Sequence, residues 1–112
     1  MKLRTPPSAR RANRYLVLRV HSSGPLRYEN FKAAVLNQLL EWLGEDEFAK
    51  AGLGFVKNLW EGASDGATAF LRCHPKYVER VKLGLALLSQ VGDARVIVQT
   101  ARVSGTIAAG RR

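Results

Sequence analysis

A strand-like run near the start, two amphipathic helical stretches and a second strand-like run near the end predict an α+β domain built on one antiparallel sheet. Three observations carry that prediction. Arg14 to Val20 is dense in β-branched and aromatic residues; apolar residues recur at helical spacing from Phe31 to Leu43 and again from Val78 to Leu88; and two short apolar segments lie between these helices, joined by Gly and Asp. The 112 residues fit a single domain. Such a domain buries about two-thirds of the surface its unfolded chain would expose.

Each element has its own local reason. The first strand, Arg-Tyr-Leu-Val-Leu-Arg-Val from Arg14 to Val20, stops at His-Ser-Ser-Gly-Pro, a loop signal. Beyond Pro25, Phe31, Val35, Leu39 and Leu43 form one helical stripe with Leu36, Leu40 and Trp42 alongside, and Gly44 stands where a C-cap belongs. Glu45 to Ala51 adds a short helical turn with its acids at the N-terminus, where the macrodipole favours them, and Gly52 ends it. Leu53 to Trp60 and Ala67 to Cys73 read as two strands of a hairpin across Glu-Gly-Ala-Ser-Asp-Gly. Pro75 suits a first helical position, and the stripe Val78, Val81, Leu85 and Leu88 continues toward Gly92, another C-cap candidate. Ala94 to Val103 is the final strand, and Ser104 to Arg112 leaves as a tail.

The order strand, helix, strand, strand, helix, strand is that of a ferredoxin-like, split βαβ sandwich, also used by the RNA recognition motif. Both helices then cover one face of a four-stranded antiparallel sheet whose first and last strands are central. Residues 1–13 form a flexible basic arm, 14–103 the domain and 104–112 the tail. Alternation puts Leu16, Leu18 and Val20 on one face of the first strand and Tyr15, Val17 and Arg19 on the other. In the last strand Val96 and Val98 oppose Ile97 and Ala101. Since neither face is polar throughout, the open face reads as a protein interface involving Tyr15, Val17, Ile97 and Ala101.

Charge is sorted along the chain. Met1 to Arg27 holds seven Lys or Arg and no acid, Tyr28 to Asp65 seven acids against three bases, and Gly66 to Arg112 eight bases against Glu79 and Asp93. The net charge of +9 therefore sits mainly toward the two ends. Such a distribution suits a polyanion, because each cation that neutralises a phosphate releases condensed counterions. A basic surface that merely confers solubility needs no sorting by segment. No apolar run suggests a signal peptide or a membrane span, and a lone Cys73 fits a reducing cytoplasm.

Stacking aromatics of the RNA recognition motif kind are missing from the central strands. Gly54-Phe55-Val56 falls on the second strand and Phe70 stands alone on the third, so phosphate contacts by arginines are the expected RNA-binding mode, with Tyr15 the one strand aromatic placed to stack. Catalytic sets are thin. Cys73 and His74 are adjacent on a strand and point to opposite faces, with no further ligand to complete a zinc site. Cys73 reads as a small core residue and His74 as a helix-entry residue. Glu45, Asp46 and Glu47 fan outward on a helix, His21 has no acid nearby in sequence, and Gly52-Leu53-Gly54 lacks the Lys-Ser/Thr of a phosphate loop.

Three stretches resemble the archaeal ribonuclease P protein component 2 family, the Pop-five type subunit. They are Pro6-Pro7-Ser8 with Arg10, Arg11 and Arg14-Tyr15-Leu16; Leu71-Arg72-Cys73 with Lys76-Tyr77-Val78 and Leu85-Ala86-Leu87-Leu88; and Ser104-Gly105-Thr106-Ile107. The resemblance implies a non-catalytic subunit of the ribonucleoprotein endonuclease that removes the 5′ leader from precursor tRNA. It also implies partners: the catalytic RNA, which holds the Mg2+ so that the protein binds no cofactor itself, precursor tRNA, a TIM-barrel subunit, and a second copy of the chain. After Ile107 the family commonly continues with Lys or Arg, whereas here Ala108-Ala109-Gly110 precede Arg111-Arg112.

The combined expectation is a subunit that screens RNA phosphates through Arg10, Arg11 and Arg14, with Lys57, Arg72, Lys76 and Arg102 on or beside the sheet, and so lowers the magnesium requirement of the RNA. Ser104 and Thr106 read equally as RNA contacts or as a turn ending the strand, and Lys57 and Arg102 equally as contacts or as solvated strand residues. The alternative from another class is a ferredoxin-like interaction module with weak, non-specific nucleic-acid binding.

Overall fold

A computed structural model describes residues 13–111, so Arg10 and Arg11 lie outside the described residues. Strand β1 (Arg14–Ser22) leads into helix α1 (Tyr28–Leu43) and the short α2 (Glu45–Ala51). Next come β2 (Gly54–Phe55), a 3-10 turn (Lys57–Leu59), β3 (Glu61–Ala63) and β4 (Gly66–Cys73). A 3-10 turn at Pro75–Tyr77 opens α3 (Val78–Ala86), followed by β5 (Gln90–Val91), β6 (Ala94–Ser104) and a helical turn, α4 (Ile107–Gly110).

The fold is α+β with one antiparallel sheet, and the sheet has six strands where four were expected. Their order is β2-β4-β1-β6-β5, with β3 also paired to β4. Hydrophobic burial holds the layers together. Leu16, Leu18 and Val20 of β1, Ala69 and Leu71 of β4 and Val96 and Val98 of β6 meet Phe31, Val35 and Leu39 of α1 and Val81 and Leu85 of α3 in one core. Each such Leu, Val or Phe contributes about 1.5–3 kcal/mol relative to exposure. The helices are stitched directly as well. The Trp42 indole N–H donates to the Arg80 carbonyl at 2.7 Å, and the Gln38 amide to the Gly84 carbonyl at 3.2 Å.

Two expected elements differ, for identifiable reasons. The single strand from Leu53 to Trp60 is two short strands split by a 3-10 turn, closed by Leu59 N–H to Val56 C=O and Trp60 N–H to Lys57 C=O. Phe55 and Trp60 are an odd number of residues apart, so a continuous strand would send them to opposite faces. The turn instead sets both rings against Phe31, at 5.8 and 5.4 Å between centroids. The second helix ends at Ala86 instead of running to Gly92, because Gln90 and Val91 pair with Arg95 and Ala94 of β6. Gly92, at φ +58°, makes the tight turn of that hairpin.

Candidate nucleic-acid interface

The strand register lays out the sheet face away from the three main helices row by row. Glu61, Thr68, Arg19 and Gln99 align across β3, β4, β1 and β6; the next row is Phe70, Val17 and Arg102; the next is Gly54, Arg72, Tyr15 and Ser104. Arg102 reaches this face through a β-bulge. Val17 pairs with Arg102 and Leu18 with Thr100, leaving Ala101 as the extra residue. A regular ladder continued from Gln99 would have put Arg102 opposite Leu16, inside the core.

The middle row is covered by the chain itself. Although Val17 and Phe70 point away from the main core, they are only 8% and 5% exposed. The C-terminal turn folds back over them. A Cβ on Gly110 would lie 2.9 Å from the Phe70 ring, 3.0 Å from Ser104 Oγ and 3.3 Å from Val17 Cγ2, so only glycine allows this approach without displacing a neighbour. Thr106 caps the turn by accepting the Ala109 N–H at 3.0 Å, Ser104 Oγ donates to the Thr106 carbonyl, and Arg102 Nη1 donates to the Ala109 carbonyl at 3.4 Å.

Beside the turn lies a cleft of about 400 Å³ lined by Arg19, Arg102 and Arg111 together with Asn58, Glu61 and Thr68. Its floor includes Val17 and Phe70. The ion pairs among the described residues are Lys57–Glu29 and Lys82–Glu79, so none of the three arginines is neutralised. A hollow of about 470 Å³ near the start of α1 carries both Arg27 and Asp93, opposite charges that leave no comparable field for a phosphate.

The expected site residues are distributed unevenly. Tyr15, Arg72, Arg102 and Ser104 lie on the open face, with Thr106 beside them in the turn. Tyr15 is half-buried opposite Arg72, whose guanidinium lies against Gly54. Arg14 shares the register side of Leu16 and is half-buried, with a 3.4 Å hydrogen bond from Nη1 to the Asn13 carbonyl. Lys57 sits elsewhere, paired at 4.0 Å with Glu29 and 5.7 Å from the Tyr28 ring, and Lys76 lies exposed in the turn before α3. Of the interface residues, Val17 lies under the tail, Ile97 is 64% exposed beside His21, and Ala101 is the exposed bulge residue.

Five lining residues, Arg19, Asn58, Glu61, Thr68 and Arg111, were not among the expected site residues. Arg19 was on the right face by alternation, but Asn58, Glu61 and Thr68 carried no signal, and nothing in the tail marked Arg111 as folding back. Cys73 is fully buried, which pushes its thiol up to about 11, and His74 Nδ1 accepts the Lys76 N–H at 3.0 Å. Both are structural. On the helical side the Tyr77 hydroxyl donates to Glu47, which lowers the Glu47 carboxyl and raises the Tyr77 phenol. Among the described residues no three His, Cys, Asp or Glu side chains gather as metal ligands, and no helix is long and apolar enough to cross a membrane.

Residues 14–112 match the model of the Rpp14/Pop5 family. The chain is 35% identical over 108 residues to ribonuclease P protein component 2 of Pyrococcus horikoshii, covering 95% of this chain and 86% of that protein. Against the proteins of the same name from Archaeoglobus fulgidus and Methanobrevibacter smithii the identities are 33% and 31%. Those alignments cover 91% and 97% of this chain and 87% and 94% of the relatives.

Proposed function

Because the chain belongs to the Rpp14/Pop5 family, we propose that it works as a protein subunit of ribonuclease P, non-catalytic itself, within a ribonucleoprotein endonuclease of tRNA maturation. The observation that carries the mode of action is the cleft where Arg19, Arg102 and Arg111 stand without ion-pair partners among the described residues. Cations so placed screen RNA phosphates and are worth most in affinity at low salt. Tyr15, Arg72, Ser104 and Thr106 extend the same face, and Arg10 and Arg11 add charge from the arm. The ferredoxin-like reading fits β1, α1, β2, β4, α3 and β6, with the short β3 and β5 as additions. Supporting it are the adjacency of β1 and β6 and the packing of α1 and α3 on one face.

Magnesium in this reading is held by the RNA. Precursor tRNA, a TIM-barrel subunit and a second copy of the chain are the proposed further partners, with exposed Ile97 available to a protein surface. Reconstitution tests the role: the chain, its catalytic RNA and the companion subunits are mixed, and precursor tRNA cleavage is followed across a magnesium titration. Adding the chain is expected to move the midpoint to lower magnesium, and changing Arg10 and Arg11 together to Ala to move it part of the way back. A midpoint indifferent to the chain would overturn the proposal.

A further inference from the structure

The open-face cleft is polarised. Arg102 and Arg111 stand on the side of β6 and the C-terminal turn, Arg19 stands in the middle on β1, and Glu61 and Asn58 lie on the opposite side at β3 and the 3-10 turn. Three strand spacings, about 14 Å of backbone, separate β3 from β6 before their side chains narrow the gap. A cleft made only for a continuous phosphate backbone gains nothing from a carboxylate, which repels it. One that takes a phosphate at one end and a base at the other gains from both.

The geometry points to a single-nucleotide site: the cleft holds one unpaired RNA nucleotide, its phosphate on Arg102 and Arg111, its base edge against Glu61 and Asn58. This inference rests on the RNA-binding reading above and deepens it. Arg19, at the centre of the row Glu61, Thr68, Arg19 and Gln99, is the hinge between the two ends. Its planar guanidinium either stacks on the base or forks onto the phosphate, and both actions suit Arg better than Lys. Glu61 is exposed and has no ion-pair partner among the described residues, so its carboxylate is free to accept from a base.

The chemistry of Glu61 sets the preference. A carboxylate accepts hydrogen bonds only, so it favours bases that present an exocyclic amino group on the pairing edge and disfavours uracil, which presents two carbonyls around one N–H. In a duplex those edges are already paired, and the cleft is too small to admit a helix. The ligand class is therefore an unpaired cytosine, adenine or guanine nucleotide of an RNA loop, bulge or single-stranded end.

The test compares three labelled RNAs by fluorescence anisotropy with the full chain at low salt: a short oligocytidylate, an oligouridylate of equal length and a duplex of the same strand length. The cytosine strand is expected to bind about fivefold more tightly than the uracil strand, the size of one ordinary hydrogen bond. Using two pyrimidines keeps stacking similar. Glu61→Gln, which restores a donor for uracil, is expected to bring that ratio close to one, and Arg19→Ala to weaken both single strands more than the duplex. Both residues are exposed, so the variants keep the fold, as an unchanged melting curve verifies. If single strands and duplex bind alike and neither variant changes the ratio, the nucleotide site is wrong while RNA binding stands. If no RNA binds at all, both readings fail.

Discussion

At the scale of the residue, Arg102 and Cys73 show how position overrides type. Strict alternation from Val96 through Val98 places Arg102 on the helix-facing side, and only the extra residue Ala101 turns it outward. Nothing in Gln-Thr-Ala-Arg-Val announces that bulge, so the direction of Arg102 was invisible in the sequence. That of Arg19, well inside the regular strand Arg14–Ser22, could be read directly. Cys73 was legible as a core residue, and its burial has a measurable consequence. In the folded protein the thiol titrates near 11 against an ordinary 9.0, so the unfolded chain loses this proton first. The contribution to stability is complete below pH 9 and is lost as pH rises toward 11. Native protein at pH 8 is accordingly expected to leave a thiol-reactive disulfide reagent uncoloured until denaturant is added, while immediate reaction would show the thiol to be accessible.

At the scale of the element, the helices were legible because their stripes are long and unbroken, and the segment after α2 was not. Leu53 to Trp60 has strand composition, yet its two aromatics serve one cluster with Tyr28 and Phe31, and that tertiary demand breaks the strand. The end of α3 was misplaced for the same kind of reason. Leu88 fits a helical stripe, but pairing of Gln90 and Val91 with β6 captures the chain first. The contact between α1 and α3 is tight at Gly84, where a Cβ would stand 2.6 Å from Trp42 Cδ1 and 2.9 Å from Leu39 Cδ2. Gly84→Ala is expected to destabilise the fold by about 1–3 kcal/mol, since the indole and the leucine must both yield. A lowered urea midpoint with red-shifted tryptophan emission would confirm it. An unchanged midpoint would mean the helices part without cost.

At the scale of the whole molecule, the sorting of charge was the most legible feature and the least specific. Composition placed cations toward both ends, but it could not say that β1, β6 and the tail bring Arg19, Arg102 and Arg111 around one cleft. That convergence is made by register and by the fold-back of the tail, both long-range. A single-stranded RNA bound there should obey counterion release, with log affinity falling linearly in log salt by about 0.7 per neutralised phosphate. Replacing all three arginines by Ala removes the one phosphate contact of that site and is then expected to flatten the slope by about 0.7. An unaltered slope would assign the electrostatics to the arm instead. The same fold-back covers Val17 and Phe70, so part of the face that alternation offered to a partner is already occupied by Ile107–Gly110.

Ala101 is also slack. With one residue more than its neighbour needs, β6 can give up a position between Gln99 and Arg102 by straightening: Thr100 would still meet Leu18 and Arg102 would still meet Val17. A further residue would have to enlarge the bulge or invert the side chains downstream. Shortening this stretch by one therefore costs the ladder less than lengthening it.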